Sequence, residues 1–451
     1  MRIYKIFVLL TLLLCAFSLS SCMKLEFSAE ALMDAPMLTP EQIEIREALY
    51  DGLGTRNVKF KYPKEGEYRS AFIMHDLNGD GDDEALVFYD PQIGENQTWA
   101  GVLTKTAAGW VLNGGRSGKG SNVDSVAFCK MTAQDEVNIV VGWSGGVSND
   151  KIIEVYSYNP DEDETLSQLT YVSYNDMLLY DINKDGLTEL LLLRCNTLDG
   201  EATAQLVARG QDGMLKTSTS LSLGDGVMAF KRVQVGMLTK NIEAVFIDSA
   251  LEDGKTSTNI LSYDFETSKK MVNIINRLQE EDRIILKRSS AVYCEDFDGD
   301  GIIEVPCEPD NPYLPGYGEE YDGTRLTKVQ YLRMTDDLFV PVWSGVANVD
   351  AGWRFELPDN WIDTVTVKVQ PGTGEWRFFV YDISLENSYQ QILRIGANNK
   401  SLPLDKNANE EYRSLGVRGM YEYRAFIPTE KIDKPFKISY EDVEKRFSIL
   451  I

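Results

Sequence analysis

Apolar residues along the chain fall in short runs rich in Val, Ile, Leu, Phe and Tyr, separated by Gly, Asn and Asp. Residues 70–74, 85–89, 152–158 and 190–193 are such runs, and the pattern predicts short β-strands joined by tight turns. It holds from residue 67 to about residue 350, so this stretch reads as all-β. Ahead of it, Thr39-Pro40-Glu41-Gln42 predicts a helix start. Thr39 is its N-cap, Pro40 its first residue and Gln42 closes a capping box, with the helix running to about Leu53. From Ala351 the pattern changes. Residues 353–358, 365–369, 375–381 and 391–395 read as strands of a different sheet, and Ser439 to Asp442 starts a last helix with Val443 and Phe447 on one face. Residues 351–451 are therefore expected to form a small α+β domain.

Within the all-β stretch one nine-residue phrase occurs three times. It reads Asp76-Leu-Asn-Gly-Asp-Gly-Asp-Asp-Glu84, Asp181-Ile-Asn-Lys-Asp-Gly-Leu-Thr-Glu189 and Asp296-Phe-Asp-Gly-Asp-Gly-Ile-Ile-Glu304, each time running into an apolar strand. The copies begin 181 − 76 = 105 and 296 − 181 = 115 residues apart. Halving these offsets finds weaker copies at residues 130–138 and 235–243. Units of about 50–60 residues suit four-stranded antiparallel sheets, and repeated sheets of this kind manage their edges by radial arrangement in a β-propeller. The fold class expected is thus mainly β: a β-propeller of four-stranded blades at 67–350, with five repeats visible and five to seven blades. A helix and lead-in strand at 39–66 precede it, and residues 57–62 are expected to lend a strand that closes the ring.

In each strong copy, oxygen-bearing side chains stand at positions 1, 3, 5 and 9, and Gly at position 6 permits the sharp turn. This spacing wraps hard oxygen donors around one cation, with the backbone carbonyl of position 7 as a further ligand. The ligand sets are Asp76, Asn78, Asp80, Asp82 and Glu84; Asp181, Asn183, Asp185, Leu187 and Glu189; and Asp296, Asp298, Asp300, Ile302 and Glu304. Calcium, up to three ions, suits such flexible all-oxygen sets better than magnesium. An EF-hand loop would need a carboxylate at position 12, where Val87, Leu192 and Cys307 stand. The weaker copies carry Lys130 and Gln134, or Val235 and Thr239, at positions 1 and 5, and are expected to hold no ion.

The three loops resemble those of FG-GAP and VCBS-type repeats in integrin-α-like propellers, and more narrowly those of repeat-bearing bacterial lipoproteins, in which segments like Phe355 to Pro358 follow the repeats. The resemblance implies structural calcium and a binding or scaffold role. The N-terminus points the same way. Arg2 and Lys5 precede an apolar run at 6–17, which is an export signal too short to span a bilayer. Leu19-Ser20-Ser21-Cys22 resembles a lipobox, which implies lipidation of Cys22, removal of residues 1–21 and a membrane anchor followed by a tether at 22–38.

Charge narrows the partners. There are 45 Lys and Arg against 70 Asp and Glu, a formal net charge of −25, so nucleic acid is repelled. His75 is the single histidine and is expected to pack rather than catalyse. Trp99, Trp110 and Trp143 are expected between sheets rather than on a sugar platform, and the acidic runs 161–164 and 280–282 in solvent. Cys129, Cys195, Cys294 and Cys307 read as buried thiols, the last two placed so that a disulfide across a hairpin is equally open. The leading expectation is a non-enzymatic, monomeric surface module for a protein or glycan partner. The alternatives are an envelope polysaccharide lyase or hydrolase on the same scaffold, which needs a pocket with opposed carboxylates or an Arg, Lys or Tyr base, and an assembly factor for exported proteins.

Overall fold

The computed structural model describes residues 38–450, apart from 93–96, 146–150, 196–200, 278–285, 290, 318–325, 336–337, 383, 385–386, 401–411 and 430–431. The expected export signal, Cys22 and the expected tether up to residue 37 lie outside the described residues. Among those described, no helix is long and apolar enough to cross a membrane.

Helix α1 (Pro40–Leu53) begins as its sequence dictates, with Thr39 and Gln42 exchanging the two hydrogen bonds of a capping box, and ends at Gly54 with φ 67°. Six antiparallel sheets follow in chain order. The first holds β1 (Lys59–Phe60), β2 (Phe72–His75), β3 (Glu84–Asp90), β4 (Trp99–Thr106) and β5 (Gly109–Ser117); the second holds β6 (Asn122–Cys129), β7 (Asn138–Ser144), β8 (Lys151–Tyr158) and β9 (Leu166–Tyr174). The third holds β10 (Asp176–Tyr180), β11 (Glu189–Arg194), β12 (Glu201–Arg209) and β13 (Leu215–Asp225). The fourth holds β14 (Val227–Thr239), β15 (Ile242–Leu251), β16 (Thr256–Tyr263), β17 (Met271–Asn273) and β18 (Lys287–Arg288). The fifth holds β19 (Val305–Cys307), β20 (Val329–Thr335), β21 (Leu338–Asn348) and β22 (Trp353–Glu356). The sixth is built of β23 (Val365–Val369), β24 (Trp376–Asp382), β25 (Asn387–Asn399), β26 (Arg413–Arg418) and β27 (Tyr421–Phe426), after which helix α2 (Tyr440–Arg446) leads into β28 (Phe447–Ile449), paired with β22. The protein is mainly β and loosely propeller-like, and no sheet closes into a barrel.

The stack follows from strands that are apolar on both faces. In β11, Leu190 and Leu192 enter the core shared with Val140, Ile153 and Val155 of the second sheet, while Leu191 and Leu193 enter the core shared with Val245, Ile247 and Leu261 of the fourth. All four leucines are fully buried, each contributing roughly 2 kcal/mol. Strand β3 does the same one unit earlier: Leu86 and Phe88 meet Val141 and Trp143 of the second sheet. Its other face, Ala85, Val87 and Tyr89, is covered by Ile45 and Leu49 of α1. Further cores join the fourth sheet to the fifth and the fifth to the sixth.

Two readings of the sequence are corrected. Residues 57–62 do not close a ring, because β1 pairs with β3 within the first sheet, Lys59 opposite Asp90 and Phe60 opposite Tyr89. Trp353–Glu356 belongs to the fifth sheet, paired with β21 from Gly345↔Glu356 to Asn348↔Trp353. The last strand of a unit carries no acidic turn, so nothing in its sequence ties it to the repeat.

Because, among the described residues, α1 supplies the fully buried Ile45 and Leu49 over the outer face of the first sheet, Leu49→Ala is expected to open a cavity and cost about 3 kcal/mol. The check is a urea titration read by tryptophan fluorescence, with an unchanged midpoint counting against this role for the helix.

Candidate metal centres and the adjoining pocket

All three acidic loops fold by one hydrogen-bond scheme. The position-1 carboxylate accepts from the N–H of the position-6 glycine: Gly81 N to Asp76 Oδ2 at 3.0 Å, Gly186 N to Asp181 Oδ2 at 3.0 Å and Gly301 N to Asp296 Oδ2 at 2.9 Å. Position 5 accepts from position 7, at 2.8 Å from Asp82 N to Asp80 and from Leu187 N to Asp185, and at 2.9 Å from Ile302 N to Asp300. Position 9 reaches back to the N–H of position 2: Leu77 N to Glu84 Oε2 at 2.9 Å, Ile182 N to Glu189 Oε2 at 2.8 Å and Phe297 N to Glu304 Oε2 at 3.3 Å. The weaker copy at 130–138 keeps this last bond with a neutral group, Met131 N donating to Asn138 Oδ1 at 2.8 Å. Position 4 has positive φ throughout, at Gly79 (78°), Lys184 (59°) and Gly299 (77°). Only Lys184 carries a side chain there, against the steric preference of L-residues.

Two loops bring their acids together. Asp181, Asp185 and Glu189 form one triad and Asp296, Asp298 and Glu304 another, each with one ligand oxygen per residue within 4.8 Å of the others. Each brings together acid oxygens of the kind a divalent metal ion needs. Asp76, Asp80 and Glu84 form no such triad among the described residues. In the second loop the only side-chain donor placed between the acids is neutral: Asn183 Nδ2 donates to Asp185 Oδ2 at 3.1 Å and to Glu189 Oε1 at 2.7 Å. Glu189 is 2% exposed, and burial first, then the charges of Asp185 and Asp181, push its carboxyl up to about 7. A buried carboxylate raised by its neighbours, facing all-oxygen donors and no paired cation, is the environment that a dication satisfies. The third loop has a carboxylate, Asp298, where the second has Asn183, and also a guanidinium, since Arg333 pairs with Asp298 at 2.8 Å and with Asp300 at 3.0 Å, and its Nε donates to Glu304 at 2.9 Å.

Beside the second loop lies a cavity of about 260 Å³ between the third and fourth sheets, lined among others by Tyr180, Lys184, Glu243, Tyr263 and Phe265. Tyr180 immediately precedes the loop, Lys184 is its position 4, and Glu243 is position 9 of the next, weaker copy. Tyr180 Oη donates to Glu243 Oε1 at 2.9 Å and accepts from Lys184 Nζ at 2.9 Å, while Lys184 Nζ lies 2.6 Å from Glu243 Oε2. The ammonium also stands 4.4 Å from the Tyr180 ring centroid, a cation–π contact. Burial and then Glu189 and Asp185 raise the Tyr263 phenol, so the cavity lies within the field of the second loop's acids. None of these lining residues is singled out by motif. The only signal in the sequence was a lysine where the other two loops have glycine.

The remaining candidates pack. His75 stacks on Phe128 at 4.1 Å. Trp143 is fully buried edge-on to Phe88 between the first two sheets, and Trp110 is buried in the core beneath α1. All four cysteines outside the N-terminal segment are free. Cys294 and Cys307 share a core, but the Cys294 thiol is directed to Asp248 Oδ1 at 3.5 Å and contacts Thr258 Oγ1 at 3.7 Å.

No family model matches the chain, and no curated protein matches it. Among solved structures, the chain matches one described as "Bifunctional GH43-CE Bacteroides eggerthii", at 10% identity and a TM-score of 0.23, over 76% of this chain and 45% of that one. The chain thus spans less than half the length of that protein. The resemblance to integrin-α-like FG-GAP and VCBS-type lipoproteins is corrected: no family model is matched. The expectation of a non-enzymatic scaffold or adhesion module is corrected as well. Convergent acids, one of each three buried, stand beside a hydrogen-bonded Tyr–Lys–Glu group, and such clustered titratable groups favour catalysis over a passive scaffold.

Because the folded chain holds a proton on Glu189 up to about pH 7, and the unfolded chain releases it in the ordinary glutamate range, the metal-free protein binds more protons folded than unfolded between those limits. Its stability is expected to fall as pH rises through that window and to level off above it. Urea midpoints in chelator across the window check this; Glu189→Gln should flatten the slope, and added divalent cation should restore stability at the upper end. A slope of the opposite sign would refute the buried-acid reading.

Proposed function

We propose that the protein is a calcium-dependent envelope enzyme that cleaves an acidic polysaccharide by elimination at the pocket beside the second loop. The observation that carries this reading is the Tyr180–Lys184–Glu243 group under two aromatic walls, Tyr263 and Phe265. Hydrolysis by paired carboxylates needs two acids across the pocket. Among the cavity's lining residues only Glu243 is acidic, and it is ion-paired. A phenol held between an ammonium and a carboxylate suits proton abstraction instead. Tyr180 Oη takes the proton α to a uronate carboxylate while its own proton passes to Glu243. Lys184 stabilises the negative charge on the phenolic oxygen, the C–O bond at the β carbon breaks to leave a C=C bond, and the departing oxygen takes a proton from water. The aromatic faces of Tyr263 and Phe265 suit the apolar faces of sugar rings. Asp181, Asn183, Asp185, Glu189 and the Leu187 carbonyl would hold the ion, which neutralises the loop so that an anionic chain can approach.

Supporting the location are the export signal and Cys22, whose two acyl chains would anchor the mature chain outside the cytoplasm. On this reading the six sheets are blades of an open, propeller-like array, with α1 covering one end and the sixth sheet with α2 the other, and residues 22–38 are the tether. A substrate glycan replaces the scaffold's partner.

Incubation of the protein with uronate-containing polysaccharides in calcium is expected to yield unsaturated ends detectable by ultraviolet absorbance. Tyr180→Phe and Glu243→Gln should lower the rate by about 10²–10⁴-fold. Lys184→Gly removes the ammonium while relieving the positive φ, so stability should hold or rise by up to about 1 kcal/mol as activity is lost. Turnover unaffected in all three variants, or none on any such polysaccharide, would sink the proposal.

A further inference from the structure

We propose that the third acidic loop is closed by an internal guanidinium in place of a metal ion: Arg333 is the resident cation of residues 296–304, so the chain takes up a divalent ion at the second loop and not at the third. The argument starts from strand register. Val305 pairs with Leu332, and one further antiparallel step sets Arg333 opposite Glu304, the position-9 acid. The same step from Leu190↔Val207 sets Ala208 opposite Glu189, and from Ala85↔Leu103 it sets Thr104 opposite Glu84. Only the third unit has a cation at this place.

From there Arg333 reaches three of the loop's four acids. Its two terminal nitrogens pair with Asp298 at 2.8 Å and with Asp300 at 3.0 Å, and its Nε donates to the buried Glu304 at 2.9 Å. The arginine side chain is only 20% exposed. A planar fork of this kind matches carboxylates and cannot release its proton. A dication drawn to the same oxygens would have to displace those bonds and stand against the guanidinium charge. In the second loop nothing comparable intervenes, because Asn183 is neutral and Ala208 has no reach. The third loop thereby keeps the hairpin shape of a metal loop while depending on no metal.

The test counts calcium ions bound per full-length chain by isothermal titration in detergent, independently of any turnover. Asp300→Asn in the otherwise unchanged chain is expected to leave the number as it is. Arg333→Met, which keeps the aliphatic stem and removes the charge, should raise it by one, and adding Asp300→Asn to that variant should remove the gained ion. Reciprocally, Ala208→Arg should lower the number by one. If Asp300→Asn alone lowers the count by one, the third loop already holds a metal and the proposal is overturned. If Arg333→Met is folded by circular dichroism and gains no ion, the proposal is likewise overturned.

Discussion

The inner strands β3, β7, β11 and β15 are apolar on both faces, so their sheets are not stable until neighbours cover them on each side. That constraint sets the order of the fold. Successive sheets must stack, and the run Leu190-Leu-Leu-Leu193, with alternate side chains in two different cores, is how one strand binds two neighbours at once. It also explains the ends. Among the described residues the first sheet has no sheet before it, and α1 supplies Ile45 and Leu49 to its other face. After the fifth sheet, Val346, Trp353 and Phe355 are covered by Val365, Val367 and Phe378 of the sixth, with Val443 of α2 in the same core.

With the strands committed to the cores, chemistry is left to the turns. The acidic loops separate two jobs that their sequence presents as one. Shape comes from backbone hydrogen bonds to positions 1, 5 and 9, and the copy ending in Asn138 shows that the position-9 bond survives without charge. Charge is a second problem, because Glu84, Glu189 and Glu304 are each at most 4% exposed and burial raises all three carboxyls. A neutral amide, a metal ion and a guanidinium are three remedies of different strength. Asn78 and Asn183 provide the first, the second loop's convergent oxygens invite the second, and Arg333 supplies the third.

This separation also marks what was legible in the sequence. The helix start at Thr39 was readable because capping is local, within three residues. The repeat and its β content were readable because the turn recurs at a fixed interval. Arg333 was not, since it lies 29 residues from Glu304 and meets it only through register, which a turn motif does not encode. The fully buried pair of Arg288 and Asp248, 2.7 Å apart and 40 residues distant in sequence, escaped for the same reason. Trp353–Glu356 was assigned to a different sheet because the closing strand of a unit has only apolar alternation to offer.

Lys184 is where fold and chemistry conflict. The turn asks for a residue that tolerates positive φ, and the first and third loops answer with Gly79 and Gly299. A lysine there costs about 1–2 kcal/mol of backbone strain. Its ammonium makes contacts that offset part of this, to Tyr180 and Glu243, yet an exposed ion pair is worth at most about 1 kcal/mol. The fold alone would be served as well by glycine. What glycine cannot do is hold a positive charge against a phenol at the mouth of an aromatic cavity, and that is the one property of the second loop that the other two lack. Strain retained at a single copy of a repeated turn, beside that cavity, is the pattern expected where a residue is kept for chemistry rather than for stability.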